Sequence, residues 1–320
     1  MHGSILIPAA PLNHRGSGRM SLETLTAARG PGVPSTPGSA EELVRVPTGV
    51  PDFDYFMGGI PAGSVVLLIG DAGAGQSEFA LTSAVQLMLH TENASAHAFH
   101  LGGARGPFAF PSGILYVSFT RTREQVLDEI RAAFDALYPQ VVERHLTFAD
   151  LSASYFRATS VPASWSEVPS PLSGLARDAN RGEDHPLRSL ADALDRDGST
   201  RVTIVDSLGD LVVRPGLDPG DLLTFLKGLR RRAKEWGGIV YLLLPRGVAS
   251  PAAEQAMIDS VDGVLSFSWT TNSNRSRRQR SLVIDKFLPV LSHVAEEYQG
   301  RFVIRIHALT GLVTTQHERI

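Results

Sequence analysis

Apolar and polar positions along this chain fall into blocks of two kinds, and the blocks alternate. Ser64-Val65-Val66-Leu67-Leu68-Ile69 is an unbroken apolar, β-branched run that stops at Gly70. A run of this length without polar alternation predicts a strand covered on both faces. Over residues 78–90 the apolar side chains take helical spacing instead, with Phe79, Ala80, Ala84, Leu87 and Met88 on the face expected to be buried. The cycle repeats with a strand over 113–119 (GILYVSF), a helix over 122–137 and a strand over 201–206 (RVTIVD). An amphipathic helix over 221–236, carrying Arg230, Arg231 and Arg232, and a strand over 238–244 (GIVYLLL) complete it.

The pattern then changes. Residues 264–269, 281–287 and 302–307 have the spacing of short strands in a hairpin-rich, antiparallel sheet end. Strands alternating with helices predict βαβ units. The expected fold class is therefore α/β, with a mostly parallel central sheet, helices on both faces and an antiparallel C-terminal hairpin edge. One domain is expected from residue 46 to 320. Residues 1–45, rich in Gly, Pro, Ser and Ala, read as a flexible leader, within which Met20 is an alternative start to Met1. Residues 90–112 and 152–188 are longer than ordinary connections and read as insertions.

Composition narrows the chemistry. The chain has 320 residues, with 30 Lys and Arg against 33 Asp and Glu and a net charge of −3, which excludes a globally basic nucleic-acid binder. With 0 cysteines, disulfides, zinc–thiolate centres and cysteine nucleophiles are excluded. The 10 histidines form no close HxxxH pair, and no GxSxG elbow occurs. No apolar run approaches the ~20 residues of a membrane span, and the N-terminus lacks a signal-peptide pattern, so a cytoplasmic protein is expected.

The sharpest local feature is Gly70-Asp71-Ala72-Gly73-Ala74-Gly75-Gln76-Ser77, between a predicted strand and a predicted helix. Glycines at the first and sixth positions and a hydroxyl at the eighth match the phosphate-loop pattern. Such glycines let backbone amides turn toward phosphate oxygens at a helix N-terminus. The seventh position, where lysine is expected, holds Gln76. A Gly-rich turn without a ligand is the alternative at this level. Asp206, at the end of the strand over 201–206, has the placement of a Walker B carboxylate, and an ordinary cap is again the alternative. Read together, the loop, Ser77 and Asp206 form a candidate site for ATP or ADP with Mg²⁺.

The segment Thr48-Gly49-Val50-Pro51-Asp52-Phe53-Asp54-Tyr55-Phe56-Met57-Gly58-Gly59-Ile60-Pro61-Ala62-Gly63-Ser64 resembles the TGIPGLDELLGGGIPRGS segment that opens RecA-superfamily ATPases of the KaiC/RadA type. Similarity continues through the phosphate loop, Val117-Ser118-Phe119, the Asp206 strand and Asp259-Ser260-Val261-Asp262-Gly263-Val264, which is similar to the family's SIADGVI. The resemblance implies a RecA-like P-loop fold, ATP between subunits, and assembly as a homo-oligomer or beside a RecA-family partner.

The departures from the family are specific. Thr120 and Arg121 occupy the places of the family's paired glutamates, which polarise the attacking water. Arg121 cannot act as a base near neutral pH. Glu124, a helical turn away, is the candidate substitute. The family's KxRG segment, whose cations reach a neighbour's γ-phosphate, is represented by Lys286-Phe287-Leu288-Pro289, so Lys286 is the expected trans contact. With the loop lysine and both glutamates replaced, the sequence predicts nucleotide binding with weak or absent hydrolysis, in a regulatory or scaffold role. The alternative is a DNA-binding accessory protein, similar to recombinase paralogues, using Arg275, Arg277, Arg278 and Arg280 with a vestigial nucleotide site.

Overall fold

Strand β3 (Ser64–Gly70) is buried at every position, as its unbroken apolar run predicts. Val66 and Leu68 join one core cluster, whereas Val65, Leu67 and Ile69 join a second, so both faces of the strand are covered. The computed structural model describes residues 43–95, 97, 99, 107–157, 159–165, 185–272, 277–287 and 300–319. The expected leader lies outside these residues except for 43–45, as do Arg275 and parts of both expected insertions.

Two short strands, β1 (Arg45–Val46) and β2 (Ile60–Pro61), pair with each other on either side of helix α1 (Pro51–Met57). The main sheet also contains β4 (Ile114–Ser118), β5 (Leu146–Asp150), β6 (Val202–Asp206), β7 (Ile239–Pro245) and β8 (Gly263–Asn272). Strands β9 (Arg277–Lys286), β10 (Gly300–His307) and β11 (Gly311–Arg319) complete it. Its order is β11-β10-β9-β8-β3-β7-β6-β4-β5. Strands β3 to β8 run parallel, and β9, β10 and β11 continue the sheet antiparallel. The α/β architecture with an antiparallel C-terminal edge is thus as expected, except that β8 itself pairs parallel with β3.

Helices cover both faces. Residues of α1, α2 (Gln76–Glu92), α3 (Arg123–Ala133) and α4 (Leu137–His145) supply one core cluster. Residues of α6 (Pro186–Asp197), α7 (Leu208–Val213), α8 (Pro219–Trp236) and α9 (Pro251–Ser260) supply the other. The short α5 (Ser152–Phe156) adds Tyr155 to that second face. The single helix expected over 122–137 is in fact broken. It ends at Ala133, and Phe134 is extended, with φ −129° and ψ 157°. The break is tertiary in origin, because the Asp135 amide donates to the Ala308 carbonyl at 3.0 Å in the β10–β11 turn. Phe134 stacks on Tyr138 with centroids 4.7 Å apart, and the chain then enters α4 and the edge strand β5.

Candidate functional site

The parallel strands end together. Gly70 lies level with Pro245, and Ser118 lies level with Asp206. Crevices beyond the carboxyl ends of such strands are where open α/β sheets place ligands. Between Gly70 and α2 the loop turns through Gly73 (φ 69°) and Gly75 (φ 123°), conformations that side chains with a Cβ rarely adopt. Its turn is closed by the Ala74 amide donating to the Asp71 carbonyl at 3.0 Å, and α2 begins with the Phe79 amide on the Gly75 carbonyl at 2.8 Å.

The β8–β9 hairpin holds the loop from outside. The Trp269 indole donates to the Ala72 carbonyl at 3.1 Å, and Arg280 Nε donates to the Gly73 carbonyl at 2.9 Å. Asp71 accepts from the Trp269 amide at 3.2 Å and faces Arg246 at 3.6 Å. The guanidinium carbons of Arg278 and Arg280 lie 4.7 and 4.5 Å from the Trp269 ring centroid. Two of the arginines read from sequence as a nucleic-acid surface therefore gather on the indole beside the loop. Arg277 follows on the β9 backbone opposite Asn272.

Gln76 folds back on the loop. Its Nε2 donates to the Gly70 carbonyl at 3.3 Å, while its Oε1 is buried without a hydrogen-bond partner. The Gly70 carbonyl also accepts from the Arg246 amide at 2.8 Å. Ser77 lies exposed in the first turn of α2.

Asp206 is engaged. Its Oδ2 accepts from the Tyr116 hydroxyl and pairs with Arg121 Nη2, and Arg121 also donates to the Tyr116 hydroxyl at 2.8 Å. Burial pushes the Tyr116 phenol up to about 12, so it remains a donor to the carboxylate. The other end of the guanidinium pairs with Glu129 on α3. The Arg121 amide is fixed by a 3.0 Å bond to Ser118 Oγ at the end of β4. A Mg²⁺ site built on Ser77 and Asp206 does not fit this arrangement: the carboxylate already carries a permanent cation on its Oδ2.

Glu124 stands exposed in the first turn of α3, 3.9 Å from Arg123, and has no contact with the Asp206 cluster. Lys286 caps the C-terminus of α9, donating to the carbonyls of Ile258 at 2.8 Å, Asp259 at 3.2 Å and Val261 at 2.8 Å. Burial lowers its pKa, with the nearby Arg230 adding to the effect. Arg230 and Lys234 both pair with Asp262, at 2.9 and 3.1 Å, and Arg232 pairs with Asp195 at 2.8 Å, so most of the basic stretch of α8 is spent on ion pairs.

Sequence reasoning passed over Asp54. This fully buried carboxyl accepts from the Thr48 amide at 2.7 Å, the Thr48 hydroxyl at 2.8 Å and the Gly49 amide at 2.8 Å. It thereby locks the turn that precedes α1. Desolvation outweighs these bonds and pushes its pKa up to about 7. The Thr-Gly…Asp spacing was the available signal, but only the fold shows the carboxyl turning back onto it.

No family model matches this chain, and no curated protein matches it. Among solved structures, a KaiC-like protein from the hyperthermophilic archaeon Pyrococcus horikoshii OT3 matches with a TM-score of 0.55 and 16% sequence identity. The match covers 86% of this chain and 100% of that one. Identity this low speaks to fold alone, and with the strand order and the loop–helix junction it shows that the chain has a KaiC/RecA-like α/β fold.

Proposed function

We propose that the protein binds ATP or ADP at the loop Gly70–Ser77 and hydrolyses it weakly or not at all, acting as a regulatory or scaffold member of the RecA-like ATPases. One observation carries this reading: Arg121 stands where the resemblance puts a catalytic glutamate, and its guanidinium lies on Asp206. A positioned water needs a base and compensation of developing charge, and here the base position carries a cation. The loop's positive-φ glycines and the start of α2 still provide a phosphate cradle. Gln76 offers it neutral hydrogen bonds, about half as strong as those of a lysine.

Lys286 is proposed as the contact to a neighbouring subunit's nucleotide, in a homo-oligomer or beside a RecA-family partner. Reaching it requires release of the α9 cap. The nucleic-acid alternative is less favoured, because Arg280 is turned onto the loop carbonyl and stacks with Arg278 on Trp269.

Calorimetric titration with ATP and ADP tests the binding half of the proposal. The native protein is expected to bind, and Gln76→Lys to bind about ten-fold tighter, the difference between neutral and charge-assisted bonds. No heat of binding in either protein would refute it.

A further inference from the structure

We infer that Arg121 is a resident cation at Asp206 that takes the place of a divalent metal, so that this site excludes the metal and presents a guanidinium to phosphate oxygens. The exclusion of metal rests on the Asp206 cluster alone; the phosphate half rests on the nucleotide reading above. The triangle of Tyr116, Arg121 and Asp206 is closed: each member bonds the other two. It is also sheltered, with the Asp206 side chain 14% and the Arg121 side chain 29% exposed. Screening by water is weak there, so a dication approaching Asp206 meets the repulsion of a fixed positive charge at close range.

Asp210, the next acid along the chain, turns back to accept from the Ser207 amide at 3.2 Å. Glu129 binds the far end of the same guanidinium and holds it in place. Among the described residues no three His, Asp or Glu side chains gather around one point. Hard divalent cations are held by anionic oxygens, and Asp206 and Glu129 both spend theirs on Arg121. Arginine, by contrast, is a planar cation whose N–H donors suit phosphate oxygens, and a phosphate would share or exchange the Nη donors that Glu129, Asp206 and Tyr116 now hold.

Electron paramagnetic resonance of free Mn²⁺, titrated into the full chain, tests the exclusion. The wild type and Asp206→Asn are expected to withhold Mn²⁺ equally weakly. Arg121→Met, which keeps an apolar stem and removes the charge, is expected to gain about ten-fold or more in affinity. That gain should vanish in Arg121→Met/Asp206→Asn. Tighter Mn²⁺ binding by the wild type than by Asp206→Asn would overturn the inference, and this comparison stands even where Arg121→Met fails to fold. A second arm titrates ATP into the wild type with Mg²⁺ or with EDTA. Affinities within about two-fold of each other support the inference, and a loss of about ten-fold or more in EDTA overturns it. Absence of ATP binding in both conditions refutes the nucleotide reading instead, and the Mn²⁺ comparison then decides the metal question alone.

Discussion

Gln76 and Arg121 redistribute charge around the loop in opposite senses. The first puts a neutral group where the phosphate-loop pattern has a lysine, and the second places a cation on the Asp206 carboxylate. Their structural burdens differ too. Gln76 contributes one long bond to a Gly70 carbonyl that Arg246 already satisfies, and it leaves Oε1 buried without a partner. Gln76→Leu removes the bond and the orphan together, so urea unfolding should register a change within about 1 kcal/mol, while nucleotide binding is lost. A large destabilisation would show that the glutamine is structural. Asp54 has the reverse profile. Its pKa is about 7 in the fold against 3.8 for the free group, so the folded state retains a proton that the unfolded chain has released. Stability is therefore expected to fall as pH rises from about 4 to about 7, and to level off above. Asp54→Asn should abolish this contribution. Unfolding free energies at pH 5 and pH 7 check it: the wild-type advantage over the variant must shrink toward pH 7.

At the scale of elements, two hairpins set the loop's position. The β8–β9 pair supplies Trp269 and Arg280 to the loop carbonyls. The β10–β11 pair packs Ile304 and Leu312 close to Gly75. Gly311, the first residue of β11, has φ 73°, and a Cβ there would come within 2.2 Å of the Tyr138 hydroxyl and 2.3 Å of Thr82 Oγ1. Gly311→Ala combines backbone strain with this clash and should cost about 2–3 kcal/mol, measured as a lower urea midpoint with unchanged slope. Legibility in the sequence followed burial. Strand β3 and helix α2 were readable because runs such as VVLLI and the Phe79–Met88 spacing serve one local purpose. Strand β11 was not, since its LVTTQ pattern alternates weakly and gains its order from pairing with β10. The break at Phe134 was equally hidden, because the bond that fixes it comes from Ala308.

Across the whole molecule, the Gly-rich junction between β3 and α2 could be read from spacing. The contact between Arg121 and Asp206 could not. Arg121 leaves the end of β4 and reaches Asp206 on β6, a contact that needs the parallel register Ser118↔Asp206 to exist. Among the described residues no helix is long and apolar enough to cross a membrane. The proposed trans role of Lys286 ties assembly to nucleotide, so gel filtration with and without ATP should show a nucleotide-dependent change in size that Lys286→Ala removes; identical profiles would leave Lys286 as a helix cap only. The proposal that this fold holds nucleotide without cutting it is tested most directly by steady-state ATP turnover of the full chain, wild type beside Asp206→Ala. No turnover that distinguishes the two proteins is expected. A turnover in the wild type that disappears in Asp206→Ala would contradict it.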